Sequence, residues 1–227
     1  MSELTLEHVR TAPQKLRRRA MRAVFERGFD VADTYGDEEL EDDGLAHPER
    51  ISYGASGWLY LLRALRREHI TPADGFLDYG AGKGRVVHQA ARYPFGHVVG
   101  LEISERLAQV AERSIDSNRE RFTCPRVEIV CADVVGFSVP DDITYAYLYN
   151  PFVGDAFQAA LDGLIDSLDR RPRELTLIYT NPVMADAVEA SGRFRAVRQL
   201  RGLRDQPNRR LIVYKSRPRV EPASPAA

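Results

Sequence analysis

The chain has 227 residues, of which 44% are hydrophobic and 29% charged, and its formal net charge is -1. This length suits one large domain, or one domain with an appended segment, and buries enough surface to fold without staples. The near-zero net charge argues against a nucleic-acid partner. Neither an apolar run of about 20 residues nor a signal-peptide core is seen, so no membrane association is expected and cytoplasm is the default location.

The two cysteines, Cys124 and Cys131, indicate neither a disulfide framework nor a metal site. No histidine has a partner at ligand spacing, so no metal ion is predicted. No feature of the sequence predicts an oligomeric state.

The first 75 residues have three different characters. Residues 4–28 predict an arginine-rich helix, which is either a solvated helix face or a basic arm for an anionic partner. Residues 33–50 contain an acidic run with glycines, typical of a mobile linker or of a lid near a site. Residues 55–69 carry apolar side chains at helical spacing. We therefore expect an N-terminal helical segment with an acidic loop over residues 1–75.

From residue 76 onward, predicted strands and helices alternate. The helices are expected over 84–93, 104–117, 154–169 and 183–191. The strands are expected at Phe76–Tyr79, His97–Leu101, Arg126–Cys131, Ile143–Tyr149, Leu175–Thr180, Phe194–Leu200 and Leu211–Lys215. This alternation predicts an α/β fold with a mostly parallel sheet and helices on both faces, and the last two strands form an antiparallel pair. The α/β domain is expected over 76–216, followed by a disordered tail over 217–227.

The first strand leads into a glycine-rich turn. The turn consists of Asp78, Tyr79, Gly80, Ala81, Gly82, Lys83 and Gly84. Ligands bind at the carboxyl ends of parallel strands, and glycines let the backbone approach them. The spacing departs from the dinucleotide pattern G-x-G-x-x-G, because the third glycine comes one residue early. The preceding Asp78 would repel a pyrophosphate and would attract a cation.

Acidic residues follow the next two strands. Glu102 ends the second strand, where a carboxylate can accept both hydroxyls of a ribose, and Ile103 would lie beside the base. Asp133 and Val134 follow the third strand. Asp133 is either a turn-capping residue or an acceptor for an adenine amine, with a neighbouring backbone N–H meeting a ring nitrogen.

The fourth strand ends in Asn150, Pro151 and Phe152. The asparagine offers a hydrogen-bond donor and an acceptor, and the proline constrains the turn. The phenylalanine either stacks over a flat or cationic group or packs into the core as part of an ordinary turn.

These four elements, in this order, resemble the class I S-adenosylmethionine-dependent methyltransferase family. The matching segments are FLDYGAGKGR, VVGLEIS, VEIVCADV and YLYNPF, and the match spans roughly residues 76–216. The resemblance implies a Rossmann-like seven-stranded sheet with a terminal antiparallel hairpin. It also implies that S-adenosylmethionine is bound, with Asp78, Gly80 and Gly82 along its methionine part, Glu102 at the ribose and Asp133 at the adenine. Within the family, the chain looks most like small bacterial enzymes distantly similar to the histone lysine methyltransferase Dot1.

The acceptor motif departs from the family pattern. Asn150 and Pro151 stand in the place of the Asn-Pro-Pro-Tyr motif of amino-group methyltransferases, but Phe152 replaces the second proline, so N-methylation is not implied. Tyr53 and Ser56 lie where related enzymes fold a segment over the cofactor, and they are candidates to contact the methionine carboxylate or, alternatively, to pack and cap a helix.

The expected activity is methyl transfer to an amine or hydroxyl of a small molecule or a protein. Two other functions stay open. One is an NAD-type dinucleotide-binding oxidoreductase, and the other is a non-catalytic methyltransferase-like module that binds a partner.

Overall fold

The computed structural model describes residues 44–45, 57–202 and 210–218. The predicted arginine-rich helix, nearly all of the acidic run and nearly all of the C-terminal tail lie outside these residues.

Seven strands form one sheet in the order β3-β2-β1-β4-β5-β7-β6. Their bounds are β1 Gly75–Tyr79, β2 His97–Glu102, β3 Arg126–Cys131, β4 Ile143–Leu148, β5 Thr176–Thr180, β6 Phe194–Leu200 and β7 Leu211–Ser216. Strands β1 to β5 are parallel to one another, whereas β7 runs antiparallel to both β5 and β6. The predicted mostly parallel sheet with a terminal antiparallel hairpin is therefore confirmed.

Five helices accompany the sheet in the described part of the chain. They are α1 Trp58–Leu65, α2 Arg85–Ala90, α3 Glu105–Asp116, α4 Gly154–Arg170 and α5 Ala185–Ala190. Helix α1 is shorter than the predicted span of 55–69, and beyond its end Glu68 forms an ion pair of 3.2 Å with Lys215 of β7. None of the helices in the described ranges is long and apolar enough to span a membrane.

The central strands β1, β2, β4 and β5 are buried on both faces, whereas the edge strands β3 and β6 are partly exposed. The helices divide between the two faces of the sheet. In β1, Leu77 and Tyr79 face a core shared with α4 and α5, whereas Phe76 faces a core shared with α1, α2 and α3. Side chains alternate along a strand, so both faces of β1 are apolar, as expected for a parallel sheet covered by helices. Polar side chains consequently collect at the ends of the strands, and those toward the carboxyl ends include the buried Asp78 and Glu102.

Candidate functional site

The glycine-rich turn is shaped by left-handed backbone at three positions. Gly80, Gly82 and Gly84 have φ angles of 68°, 54° and 78°, which residues with a Cβ atom seldom adopt. The turn is tied to the sheet because the Ala81 N–H donates to the Leu101 carbonyl at 2.9 Å. Gly84 is the N-cap of α2, so the turn delivers the chain directly into that helix.

Glu102 connects this turn with the end of β2. Its Oε2 accepts the Gly82 N–H at 2.6 Å and its Oε1 accepts the Ser104 N–H at 3.0 Å, while only 6% of the residue is exposed. Burial raises the pKa of Glu102, and the backbone N–H groups of Ser104, Gly82 and Ile103 oppose that rise. An ionised carboxylate has about four lone-pair positions, so acceptor capacity remains beside these backbone donors for a ligand hydroxyl.

Asp78 lies in the same buried environment, at the end of β1. It is 3% exposed, and its pKa is raised well above the ordinary value, first by burial and then by the charge of Glu102. Burial beside Glu102 therefore disfavours the ionised form of Asp78 in the absence of a cation. A cationic group placed beside the two carboxylates would stabilise their ionised forms.

The remaining predicted nucleoside contacts occupy the ends of β2 and β3. Ile103 is half-buried, and its carbonyl lies 3.9 Å from the Cys131 Sγ. Asp133 is also half-buried, and its Oδ1 accepts the Val135 N–H at 3.0 Å, which is the turn-capping arrangement. Val134 is 8% exposed and its side chain belongs to the core, which leaves its backbone as the part that could contact a ligand.

The Asn-Pro-Phe motif directly contacts the glycine-rich turn. A Cβ atom on Gly80 would overlap the Pro151 ring, so these two residues are in close contact. Phe152 is 8% exposed and meets the Tyr79 ring edge-on at 6.1 Å. The structure therefore brings Pro151 to the turn and buries the side chains of Phe152 and Tyr79 in the core. The predicted role of Phe152 in stacking on a ligand stays a prediction.

Asn150 adopts a left-handed backbone conformation, with a φ angle of 53°. Its Oδ1 accepts the Tyr179 hydroxyl at 3.4 Å. Tyr179 is in β5, and sequence reasoning did not select it, because an aromatic residue inside a buried strand reads as core. Asn181, one strand over, has nearly the same φ angle of 52° and also precedes a proline. The Asn-Pro pair that follows both β4 and β5 is therefore the sequence signal that the ends of these two strands share one backbone conformation.

Tyr53 and Ser56 lie outside the described residues, so their predicted contacts with the methionine carboxylate stay predictions. In the ranges that the structure describes, no group of three or more His, Cys, Asp or Glu side chains is arranged to hold a metal ion.

The sequence of the central region is similar to known methyltransferases. Residues 76–170 match the methyltransferase domain family. A 56-residue stretch is 39% identical to ribosomal protein L11 methyltransferase of Desulforapulum autotrophicum, covering 25% of this chain and 18% of that protein. The alignment thus spans less than a fifth of that relative.

Solved structures share the fold at low sequence identity. The RNA methyltransferase from Salinibacter ruber, solved in complex with S-adenosylhomocysteine, has a TM-score of 0.51 and 20% identity, over 77% of this chain and 100% of that chain. A SAM-dependent methyltransferase from Aquifex aeolicus has a TM-score of 0.52 and 12% identity, over 68% of this chain and 88% of that chain. With the strand order, these likenesses show that the chain has a class I, Rossmann-like methyltransferase fold.

Proposed function

We propose that the chain is an S-adenosylmethionine-dependent methyltransferase that methylates an amine or hydroxyl of a small molecule or a protein. One observation carries the proposal. The buried Glu102 carboxylate accepts a hydrogen bond from the Gly82 N–H at 2.6 Å, and it interacts with a second buried carboxyl group, that of Asp78. The match of residues 76–170 to the methyltransferase domain family supports the same conclusion.

The residues present fit the cofactor's chemistry. Glu102 keeps acceptor capacity for the ribose hydroxyls in addition to its hydrogen bonds from the backbone of Gly82 and Ser104. Asp78 suits the positive amino and sulfonium groups, because a neighbouring cation favours the ionised form that burial and the charge of Glu102 disfavour. The same carboxylate would oppose the pyrophosphate of NAD, which disfavours the oxidoreductase alternative.

Positioning is the main contribution that the protein makes to methyl transfer. S-adenosylmethionine supplies a methyl group on a positively charged sulfur, which leaves as a neutral thioether. The Asn150 side chain and the Pro151 carbonyl orient the methyl acceptor. The contact between Pro151 and Gly80 keeps both residues next to the glycine-rich turn. Holding the reacting groups in line contributes several kcal/mol to lowering the barrier.

The finer relationship, to small bacterial enzymes distantly similar to Dot1, is part of this proposal and rests on the D-x-G-x-G-K-G-R turn and the Asn-Pro-Phe motif. A protein acceptor is compatible with the 56-residue likeness to a ribosomal protein methyltransferase. That stretch is too short to select an acceptor class. The net charge of -1 still argues against a nucleic-acid acceptor.

Calorimetry with S-adenosylhomocysteine and with NAD tests the cofactor. We expect saturable heat with the first and none with the second, and the reverse would favour the oxidoreductase alternative. Incubating the protein and labelled S-adenosylmethionine with a bacterial extract tests turnover, and protease or nuclease treatment of the product identifies the acceptor class. Cofactor binding without any labelled product would favour a non-catalytic module.

A further inference from the structure

A chain of hydrogen bonds runs from the start of α5 to the Asn-Pro-Phe motif. The Met184 N–H donates to the Tyr179 hydroxyl at 3.2 Å, and that hydroxyl donates to the Asn150 Oδ1 at 3.4 Å. A phenolic hydroxyl has one proton to donate. Because the Met184 N–H can only donate, the hydroxyl proton has the Asn150 Oδ1 as its acceptor among the described residues.

The Tyr179 hydroxyl has little freedom to move. Its ring is fully buried and stacks on Phe157 of α4, with centroids 5.5 Å apart and planes at 22°. The backbone that leads to Met184 is also held, since the Asn181 N–H donates to the Arg210 carbonyl at 2.8 Å and Pro182 is buried. Burial raises the pKa of Tyr179 to about 12, so the hydroxyl keeps its proton throughout the neutral pH range.

The hydrogen bond from Tyr179 to the Asn150 Oδ1 determines which group of the Asn150 amide is left for a ligand. With Oδ1 occupied by the Tyr179 hydroxyl, the Nδ2 group is the part of the Asn150 amide left for other partners, and within the described ranges Tyr179 is the only side chain that hydrogen-bonds this amide. Asn150 is half-buried and follows β4 directly, so part of the residue is exposed at the carboxyl end of that strand.

We propose that Tyr179 is a positioning residue that holds the Asn150 amide with its oxygen inward, so that Asn150 presents a hydrogen-bond donor to the methyl acceptor. This inference rests on the proposed function for the identity of the bound molecule. It predicts that the acceptor has a lone pair beside the reacting atom, as in a hydroxyl, carboxylate or carbonyl-bearing group.

Four asparagines in the chain make the contact directly measurable. Protein labelled with 15N-asparagine gives one pair of side-chain amide signals for each, and the Asn150→Ala variant identifies the pair of Asn150. In Tyr179→Phe this pair shifts more than the other three pairs. Tyr214→Phe is the matched control: its hydroxyl is buried in the same core cluster, and within the described residues it has no hydrogen-bond partner. An unmoved Asn150 pair in Tyr179→Phe, or an equal shift in Tyr214→Phe, overturns the inference.

Turnover tests the direction of the amide. With labelled S-adenosylmethionine and bacterial extract as probe, Tyr179→Phe lowers the initial rate of label transfer by about twofold to tenfold, the usual worth of one hydrogen bond. Its affinity for S-adenosylhomocysteine stays within about threefold of wild type, by the same measure. Asn150→Asp keeps the inward oxygen and loses the outward donor, so its rate falls as far as that of Asn150→Ala. Full activity of Asn150→Asp refutes the donor assignment. Absence of S-adenosylhomocysteine binding in the wild type instead refutes the proposed function, whereas the amide signals still report on the Tyr179 contact.

Discussion

Replacing Glu102 with alanine tests the site most directly, because two backbone groups and the predicted ribose contact depend on one carboxylate. The variant leaves the N–H groups of Gly82 and Ser104 without their acceptor, at 2.6 Å and 3.0 Å in the native protein. A hydrogen bond to a charged group contributes about 1.5–3 kcal/mol. Relief from burying the carboxylate offsets part of this loss, so we expect the free energy of unfolding to fall by about 1–3 kcal/mol.

The effect of Glu102→Ala on binding is larger than its effect on stability. Two ribose hydroxyls that donate to the carboxylate would contribute about 3 kcal/mol or more in total, which corresponds to a Kd for S-adenosylhomocysteine weakened about 100-fold or more. Isothermal titration calorimetry measures this Kd, and circular dichroism at the same temperature checks that the variant is folded. The matched control is Glu112→Ala, since Glu112 is an exposed carboxylate on α3. A folded Glu102→Ala protein that binds S-adenosylhomocysteine within threefold of wild type would refute the assignment.

Three further variants test the surroundings of this carboxylate. The raised pKa of Asp78 means that the folded protein keeps a proton that the unfolded chain loses near pH 4, so the stability conferred by that proton declines as the pH rises. Asp78→Asn should therefore raise the ligand-free Tm more at pH 7.5 than at pH 5, and it should weaken the binding of S-adenosylhomocysteine. An equal Tm change at both pH values would contradict this. Gly80→Ala should lower the Tm by about 4–8 °C, because it adds strain at a φ of 68° and its Cβ overlaps Pro151. The control Gly136→Ala has a φ of 84° and open space around it, so it should lower the Tm less. Equal losses of Tm would exclude the Pro151 contact as a cause. His97→Ala removes a buried ring whose nitrogens lie 2.9 Å and 2.8 Å from two carboxylates, at the end of the strands opposite the candidate site. Chemical denaturation should show that the free energy of unfolding falls by about 2–4 kcal/mol, with no change in the Kd for S-adenosylhomocysteine. A weakened Kd would show that the two ends of the strands are not independent.

The sheet could be predicted from the sequence because its signals are local. Each strand is a short apolar run bounded by turn residues, and the missing helix between the last two strands dictates their antiparallel pairing. The predicted strand Phe194–Leu200 coincides with β6. The turn at residues 78–84 was equally accessible, since glycine spacing after a strand depends on chain neighbours alone.

The environment of the Asn-Pro-Phe motif could not be predicted in the same way. The contact between Tyr179 and Asn150 depends on the register of β4 and β5, in which Leu148 lies opposite Tyr179. The burial of Phe152 depends on which side of the turn faces Tyr79. A single sequence contains no record of either, because both are settled by packing between distant segments.

The buried pair Asp78 and Glu102 links the stability of the fold to ligand binding. Without a cation, the protein holds two interacting carboxylates away from water, which disfavours their ionised forms and the native state at neutral pH. A positively charged ligand reverses both effects, so its binding should release protons and should raise the Tm. Of the two carboxylates, a neutral nucleoside such as adenosine would contact only Glu102. The difference in affinity between S-adenosylhomocysteine and adenosine should therefore shrink in Asp78→Asn, which retains Glu102. If the ratio of the two Kd values is the same in Asp78→Asn and in wild type, the Asp78 carboxylate does not serve the charged end of the ligand.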